Sequence, residues 1–307
     1  SFQTAYLKAH YPLEYMTALL QSVDTNEDKA RVYINEADKL GYEIKGIDIN
    51  KSKETFSIED ENIIRIGFVS TKQVGRGISA EIEAEREVGG KYESFKDFIK
   101  RVDIASDQIR NLISVGTFDS FASRKALEEV HCDLIKEAEQ EYAKKNNNQM
   151  SLFGSEELET ISKKVKIPEK ETSLDYKLKK EKEFLGYYIS GHPLDKYMGK
   201  FPVNNIRKLP EKEDHKIKII AYVNNIHEHV TKNGNTMAFL KVEDFSSDID
   251  VIVFPDTFSP VKGKLDEGMN ILLTGKVTLD TKEQYSENGE EIITIKKIIA
   301  DEIKIIK

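Results

Sequence analysis

The spacing of apolar positions changes along the chain, from a helical pattern at the start to a strand pattern in the last third. In residues 1–50 apolar side chains recur every three or four residues, which predicts amphipathic helices, with Pro12 near a helix start and Gly41 at a helix end. From about Lys216 the spacing becomes two, as in MAFLKVED, which is typical of strands with one buried face. We therefore expect a multidomain α+β chain.

Two similar segments, in residues 57–125, each predict a short helix, a glycine turn and a second helix. They read IRIGFVSTKQVGRGISAEIEAERE and QIRNLISVGTFDSFASRKALEEV, and between them Ser94 is placed to cap a helix over FKDFIKRV. This arrangement predicts tandem helix-hairpin-helix modules. A glycine turn lets backbone N–H groups approach a phosphate at a helix N-terminus, where the helix dipole also favours an anion.

The candidate contacts to duplex DNA cluster at these two turns. A glycine between two helices is more often only a helix cap, but two units in tandem with basic side chains beside them favour DNA. Contacts of this kind are made to the phosphate backbone and carry no sequence information. The candidates are Lys72, Val74, Gly75, Arg76, Gly77, Arg110, Gly116, Thr117, Arg124 and Lys125.

The last third of the chain predicts an OB-fold barrel, with about five strands and a helix between the third and the fourth. Asn233-Gly234, between two alternating runs, predicts a hairpin. Ala238, Leu240 and Val242 share the face expected to line the barrel core. Phe239 lies on the other face, where it either stacks on single-stranded bases or packs on a neighbouring domain. The candidate single-strand contacts are Tyr222, Lys232, Asn233, Phe239, Lys241, Lys282 and Tyr285.

Composition narrows the class of protein. Charged residues make up 33% and hydrophobic residues 39%, and neither a membrane span nor a secretory leader is expected. Cys132 is the single cysteine, which argues against a disulfide framework and fits the cytoplasm. The net charge of −8 speaks against nucleic acid, yet residues 62–125 carry 11 Lys/Arg and 9 Asp/Glu while the flanking blocks are acidic. DNA is therefore expected at this block first.

No group of side chains predicts a catalytic centre. Two-metal nucleotidyl transfer needs clustered carboxylates that hold ions about 4 Å apart, whereas Asp248 and Asp250 stand by themselves at a strand start. His227 and His229 share a strand face but have no third ligand nearby for a metal. We expect no cofactor in this chain and no polymerase activity from it alone.

Together the segments resemble one family, the alpha subunit of bacterial replicative DNA polymerase III, over its C-terminal third. The resemblance rests, in the family's order, on FQTAYLKAHYPLEYMTALL, TKQVG, ESFKDFIKRVD, LISVGTFDSF, EKEFLGYYISGHPLDKY and TKNGNTMAFLKVED. It implies the end of a fingers domain at 1–55, a helix-hairpin-helix domain on template–primer duplex at 56–145, a connector at 173–212 and an OB domain near single-stranded template at 213–307. The family's catalytic aspartates and Mg²⁺ belong to a palm domain upstream of residue 1.

The stretch NNNQMSLFG places two apolar side chains on a polar run. QMSLF is similar to the family's clamp-binding pentapeptide, which implies a flexible linker at 146–172 that binds the sliding clamp, the beta subunit. Leu152 and Phe153 would fill an apolar pocket, and the Gln149 amide would make directional hydrogen bonds. A flexible tether of this kind holds its partner by effective concentration. The clamp-binding candidates are Gln149, Ser151, Leu152 and Phe153.

The resemblance implies four partners: template–primer DNA, single-stranded template, the clamp and the rest of the alpha subunit. Gln73 and Asp119 depart from the family's glycine pattern at the two hairpins. Two other interpretations remain open. One is an interaction scaffold in which only QMSLF is active, and salt-dependent duplex binding would separate it from a DNA binder. The other is an RNA-binding OB protein, as in the anticodon-binding domains of tRNA ligases, which predicts a ligase domain.

Overall fold

The computed structural model describes residues 2–24, 26–147, 165–286 and 289–306. The chain forms two compact units, Ser1–Gly191 and His192–Lys307. The division falls inside the segment 173–212, for which the sequence predicts one connector. The helix of that segment and the residues after it up to Gly191 belong to the first unit, and the segment from His192 onward belongs to the second.

The first unit begins with three helices and a small sheet. Asn26 caps the third helix by accepting a hydrogen bond from the Lys29 N–H (3.0 Å), and Gly41, at φ 86°, ends it as expected. The sheet has the order β1-β3-β2, with β3 parallel to β1 and antiparallel to β2. The elements are α1 (Phe2–His10), α2 (Pro12–Ser22), α3 (Glu27–Lys39), β1 (Glu43–Lys45), β2 (Ser57–Asp60) and β3 (Ile63–Arg65).

Five helices complete the first unit and contain the two hairpins. They are α4 (Arg76–Gly89), α5 (Phe95–Arg101), α6 (Ser106–Ser114), α7 (Arg124–Asn147) and α8 (Leu174–Leu185). The prediction of a short helix before the first glycine turn is wrong. The β-branched pair Ile63 and Ile64 joins the sheet as β3, and only a single 3₁₀ turn, Phe68–Ser70, precedes the hairpin.

An aromatic cluster holds the hairpins in one body. Phe118, in the turn between α6 and α7, packs against Phe95 and Phe98 of α5, with both ring centroids at 4.9 Å. Ser94 caps α5 as predicted, because its hydroxyl accepts from the Asp97 N–H at 3.1 Å. The Tyr92 hydroxyl donates to the Ile82 carbonyl (2.8 Å) and so links α4 to the same core.

The second unit is a closed five-stranded barrel with the order β4-β5-β6-β8-β7. A short helix follows the third strand, so the predicted OB fold is confirmed. Ala238, Leu240 and Val242 line its core, as expected, and Phe239 lies outside, 42% exposed. The elements are β4 (Lys216–Val230), β5 (Thr236–Glu243), β6 (Asp248–Val253), α9 (Pro255–Phe258), β7 (Asn270–Ser286) and β8 (Gly289–Ile306).

Candidate nucleic-acid interface

The first hairpin leaves the N-terminus of α4 open. Gly75 is the N-cap, with φ −89° and ψ 175°, and no side chain caps the helix, so the first backbone N–H groups have no partner in it. A Cβ added at Gly75 or Gly77 would meet no atom within 4 Å. Neither φ nor packing therefore requires glycine at these two positions. Because glycine has no side chain, the backbone N–H groups at the start of α4 stay accessible to a ligand.

The cations of this hairpin are exposed and weakly held. Arg76, whose side chain is 76% exposed, pairs with Glu54 at 3.2 Å. Lys72 pairs with Glu27 at 2.9 Å and is about half exposed. Exposed pairs of this kind are worth about 0–1 kcal/mol, so a phosphate can replace either carboxylate at low cost.

Gln73, at which the resemblance implied a glycine, takes up the backbone conformation that glycine favours. Its φ is 67°, which is uncommon for a residue with a side chain. The Asn111 side chain stabilises this turn conformation, because Asn111 Nδ2 donates to Gln73 Oε1 at 3.0 Å and to the Lys72 carbonyl at 3.2 Å. Val74 is buried beside it, and its N–H donates to the Thr71 carbonyl (3.0 Å), so Val74 anchors the turn.

The second hairpin uses its own backbone donors. The Gly116 N–H donates to the Ile113 carbonyl at 3.0 Å, and the N–H of the buried Thr117 donates to the Leu112 carbonyl at 3.1 Å. At φ 88° glycine is required at 116, since a Cβ would lie 2.4 Å from Nη2 of Arg124. The N–H groups of Gly116 and Thr117, which the sequence predicts as phosphate contacts, therefore already have acceptors within the fold.

Arg124, which the sequence predicts as a DNA contact, lies in the interior of the first unit. Its side chain is only 5% exposed, and Nη2 lies 3.1 Å from both Asp119 Oδ2 and Glu181 Oε1. Nη1 donates to the Ser114 carbonyl at 3.1 Å. A phosphate at the surface could reach this guanidinium only by breaking a buried network.

The N-terminus of α7 is also covered. The Ser123 hydroxyl accepts from the Ala126 N–H at 3.3 Å, and the Lys125 N–H donates to Thr172 Oγ1 at 3.2 Å. Near this hairpin two predicted cations remain at the surface. Lys125 lies 4.9 Å from the centre of the Tyr176 ring, and Arg110 has a single ion pair, at 3.7 Å, with its helix neighbour Asp107.

On the barrel, Phe239 lies at the centre of an outer face formed by strands β4, β5, β6 and β8. Directly opposite residues of paired strands share a face. Phe239 lies opposite His227 and Ile252, and Lys241 lies opposite Asn225 and Asp250. Asp250 in turn lies opposite Lys297 of β8. Alternation within β5 predicts the face of Phe239 and Lys241, but it does not give the register that brings their neighbours beside them.

The other single-strand candidates lie elsewhere on the barrel. Lys232 and Asn233 are exposed in the β4–β5 turn, which Gly234 closes at φ 79°. Tyr222 lies opposite Glu243, on the same outer side of the sheet as Phe239, but it is half-buried against the apolar cluster of Leu194, Tyr197 and Ile220. Lys282 and Tyr285 lie on β7, where it pairs only with β8, and their side chains are outside the described residues.

The clamp-binding candidates Gln149, Ser151, Leu152 and Phe153 lie outside the described residues. Within the described ranges, no group of three or more His, Cys, Asp or Glu side chains could hold a metal ion. No helix in the same ranges is long and apolar enough to cross a membrane.

Comparison with known proteins agrees with both domain types. Residues 41–127 match the family described as helix-hairpin-helix motif, and residues 217–306 match the family described as OB-fold nucleic acid binding domain. The crystal structure of the S. cerevisiae mitochondrial single-stranded DNA binding protein Rim1 (Form1) matches over 31% of this chain and 97% of its own, at 13% identity and a TM-score of 0.23. Tandem helix-hairpin-helix modules followed by an OB barrel define a nucleic-acid-binding class of protein.

The relatives narrow this class. DNA polymerase III subunit alpha of Borreliella burgdorferi is 35% identical over 97% of this chain, and that of Thermus aquaticus is 31% identical over 95%. The Mycobacterium tuberculosis protein is 31% identical over 91%. The chain belongs to the DNA polymerase III alpha subunit family, and it spans about a quarter (27%, 24% and 25%) of these relatives' lengths. Membership and the two domain types support DNA binding.

Proposed function

We propose that this chain is the DNA-binding and clamp-tethering part of a bacterial replicative polymerase alpha subunit, acting in the cytoplasm. In this proposal the open end of α4 holds the backbone of template–primer duplex, and the Phe239 face of the barrel holds single-stranded template. The pentapeptide at 149–153 binds the sliding clamp. Nucleotidyl transfer and its Mg²⁺ belong to parts of the polymerase outside this chain.

One observation carries the duplex contact: neither backbone conformation nor packing requires the two glycines at the start of α4. Glycine lowers the stability of a helix interior relative to alanine, and nothing around Gly77 requires a missing side chain. A phosphate bound to the free N–H groups would explain why glycine is needed here, because it approaches the backbone so closely that it would clash with a Cβ. Arg76 and Lys72 stand on either side of Gly75 to pair with the same backbone.

Replacing both glycines, Gly75→Ala/Gly77→Ala, is expected to weaken duplex binding by roughly tenfold or more, since a hydrogen bond to a charged group contributes about 1.5–3 kcal/mol. The free energy of unfolding should change little, because alanine is the better helix former at 77 but the poorer N-cap at 75. Fluorescence anisotropy with a labelled primer–template duplex measures the affinity, and chemical denaturation measures the stability.

Gly46→Ala is the matched control, since its Cβ would make one ordinary contact, 3.5 Å from Ile189. It should leave duplex affinity unchanged. A salt titration adds a second test, because log affinity should fall linearly with log salt, and Arg76→Ala should reduce the slope by about 1. A double-alanine variant that binds duplex as tightly as the parent chain would refute the contact at α4. A chain that binds the clamp but shows no salt-dependent duplex binding would favour the scaffold interpretation.

A further inference from the structure

The outer face of the barrel contains a cavity of about 320 Å³ beside the Phe239 ring. This volume lies at the small end of the ~300–1,000 Å³ range of small-molecule sites. Phe239 forms an aromatic wall, with His227 and Ile252 beside it in the same row across the sheet. The next row carries polar side chains, in the order Asn225, Lys241, Asp250 and Lys297. Stacking and hydrogen-bonding groups therefore converge on one small space.

The charges that line this cavity are unevenly paired. Lys241 Nζ lies 3.2 Å from Asp248, and Lys297 Nζ lies 2.6 Å from Asp280. The hydrogen bond from Lys297 holds the pKa of the Asp280 carboxyl below its ordinary value. Asp250 lies between these two lysines in the row, yet among the described residues its carboxylate has neither an ion pair nor a hydrogen bond. Both cations are engaged elsewhere, and the anion between them is left with open acceptors.

We propose that this cavity is a base-reading subsite for single-stranded DNA, in which one base stacks on Phe239 and its N–H edge donates to Asp250. The inference rests on the proposed binding of single strands by the barrel, and it adds a preference among bases. Every base can stack on an aromatic ring, so Phe239 contributes affinity without discriminating between bases. The specificity comes from the carboxylate of Asp250.

An ionised carboxylate can only accept hydrogen bonds. Guanine presents two adjacent donors on one edge, its N1–H and its 2-amino group, which match the two oxygens of Asp250. Cytosine and adenine present one amino group each. Thymine presents its single N–H between two carbonyl oxygens, which the carboxylate repels. The expected order of affinity is guanine first, then cytosine and adenine, then thymine.

The position of Asp250 also suits a DNA surface. A lone carboxylate repels phosphates, but Lys241 and Lys297 lie directly opposite it on the two neighbouring strands. Their charges offset that repulsion for the strand's backbone while the base edge enters between them. Lys241 is exposed, and its pair with Asp248 is of the weak surface kind that a phosphate can replace.

The test uses the whole chain and labelled oligothymidine strands in which one central dT is replaced by dG, dC or dA. Anisotropy at one fixed salt concentration should show the dG strand binding roughly five- to twentyfold more tightly than all-dT. Asp250→Asn should bring the affinities of all four strands to within about twofold of one another, because the amide NH2 group replaces one of the two carboxylate acceptors. Phe239→Ala should weaken all four.

Asp266→Asn is the control, since it removes the same charge from an exposed carboxylate of the same unit that does not line the cavity. It should preserve the ratio of dG to dT affinity. Equal binding of the four strands by the parent chain would overturn base reading and leave single-strand binding intact. Absence of binding to every strand would overturn the barrel's proposed role as well. An undiminished ratio of dG to dT affinity in Asp250→Asn would overturn the assignment to Asp250. Displacement of the strand by equimolar free dGMP would show that the cavity binds a free nucleotide rather than a base within a strand.

Discussion

Replacing Arg124 by alanine is expected to lower the free energy of unfolding of the first unit by about 3–5 kcal/mol, the usual cost of removing one partner of a buried ion pair. The guanidinium is paired with Asp119 and with Glu181, whose side chain is only 1% exposed. Its loss leaves the Glu181 charge buried without a cation. It also opens a cavity under Gly116, where the Arg124 side chain lies against the turn.

Glu181 makes this site a junction between the second hairpin and the segment that begins with α8. Its Oε2 accepts from the N–H groups of Ile189 (2.8 Å) and Ser190 (2.9 Å), and its Oε1 lies beside Arg124. Nearby, the Tyr176 hydroxyl donates to Glu128 of α7, and burial raises the pKa of Tyr176 above its ordinary value. Because α8 is fixed to α7 through these contacts, breaking the ion pair should loosen α8 and the second hairpin together.

Arg110→Ala is the matched control, since Arg110 is an arginine near the same hairpin with a single exposed ion pair. It should change stability by no more than about 0.5 kcal/mol. Denaturation followed by far-ultraviolet circular dichroism reports on the first unit, which contains most of the helices. The double variant Arg124→Met/Glu181→Leu should recover part of the loss, since a buried pair can be replaced by apolar groups. Equal, small losses for Arg124→Ala and Arg110→Ala would contradict the assignment of Arg124 to the interior.

Local patterns were enough to predict much of the fold. Gly41 and Ser94 act at helix ends where neighbouring residues alone fix the requirement, and both predictions are confirmed. Two-residue alternation placed Ala238 inside the barrel and Phe239 outside it, because the alternation of a strand is a local property. The order of five strands, with a helix after the third, then predicted an OB barrel for the last third, which the structure has.

The functional surface depends on contacts that local patterns do not contain. Arg76 and Arg124 are the same residue type beside similar turns, yet one is open to solvent and the other is buried by α8, which comes about 50 residues later in the sequence. In the sequence Asp250 stands at a strand start with no partner for chemistry, and only the register of β5, β6 and β8 places it in the same cavity as Phe239. Long-range packing decided which cations and donors remain available.

Removing the two apolar side chains of the pentapeptide, Leu152→Ala/Phe153→Ala, is expected to abolish measurable binding to the cognate sliding clamp. Burying a leucine or a phenylalanine contributes about 1.5–3 kcal/mol each, so losing both should weaken binding by roughly a hundredfold or more. Surface plasmon resonance with immobilised clamp measures the affinity. Duplex binding should be unchanged, since the contact proposed at α4 is a separate one.

Leu158→Ala/Ile161→Ala is the control, because it removes two apolar side chains from the same stretch of sequence outside the pentapeptide. Equal binding of the clamp by the parent chain and the Leu152→Ala/Phe153→Ala variant would exclude QMSLF as the anchor. The position of the motif strengthens the expectation that it acts together with DNA. Gln149 follows the last residue of α7, Asn147, by two positions, a span of at most about 7 Å. The end of α7 is roughly 35 Å along the helix from the second hairpin, so a clamp bound there is tethered within that reach and raises the effective concentration of duplex near the hairpins.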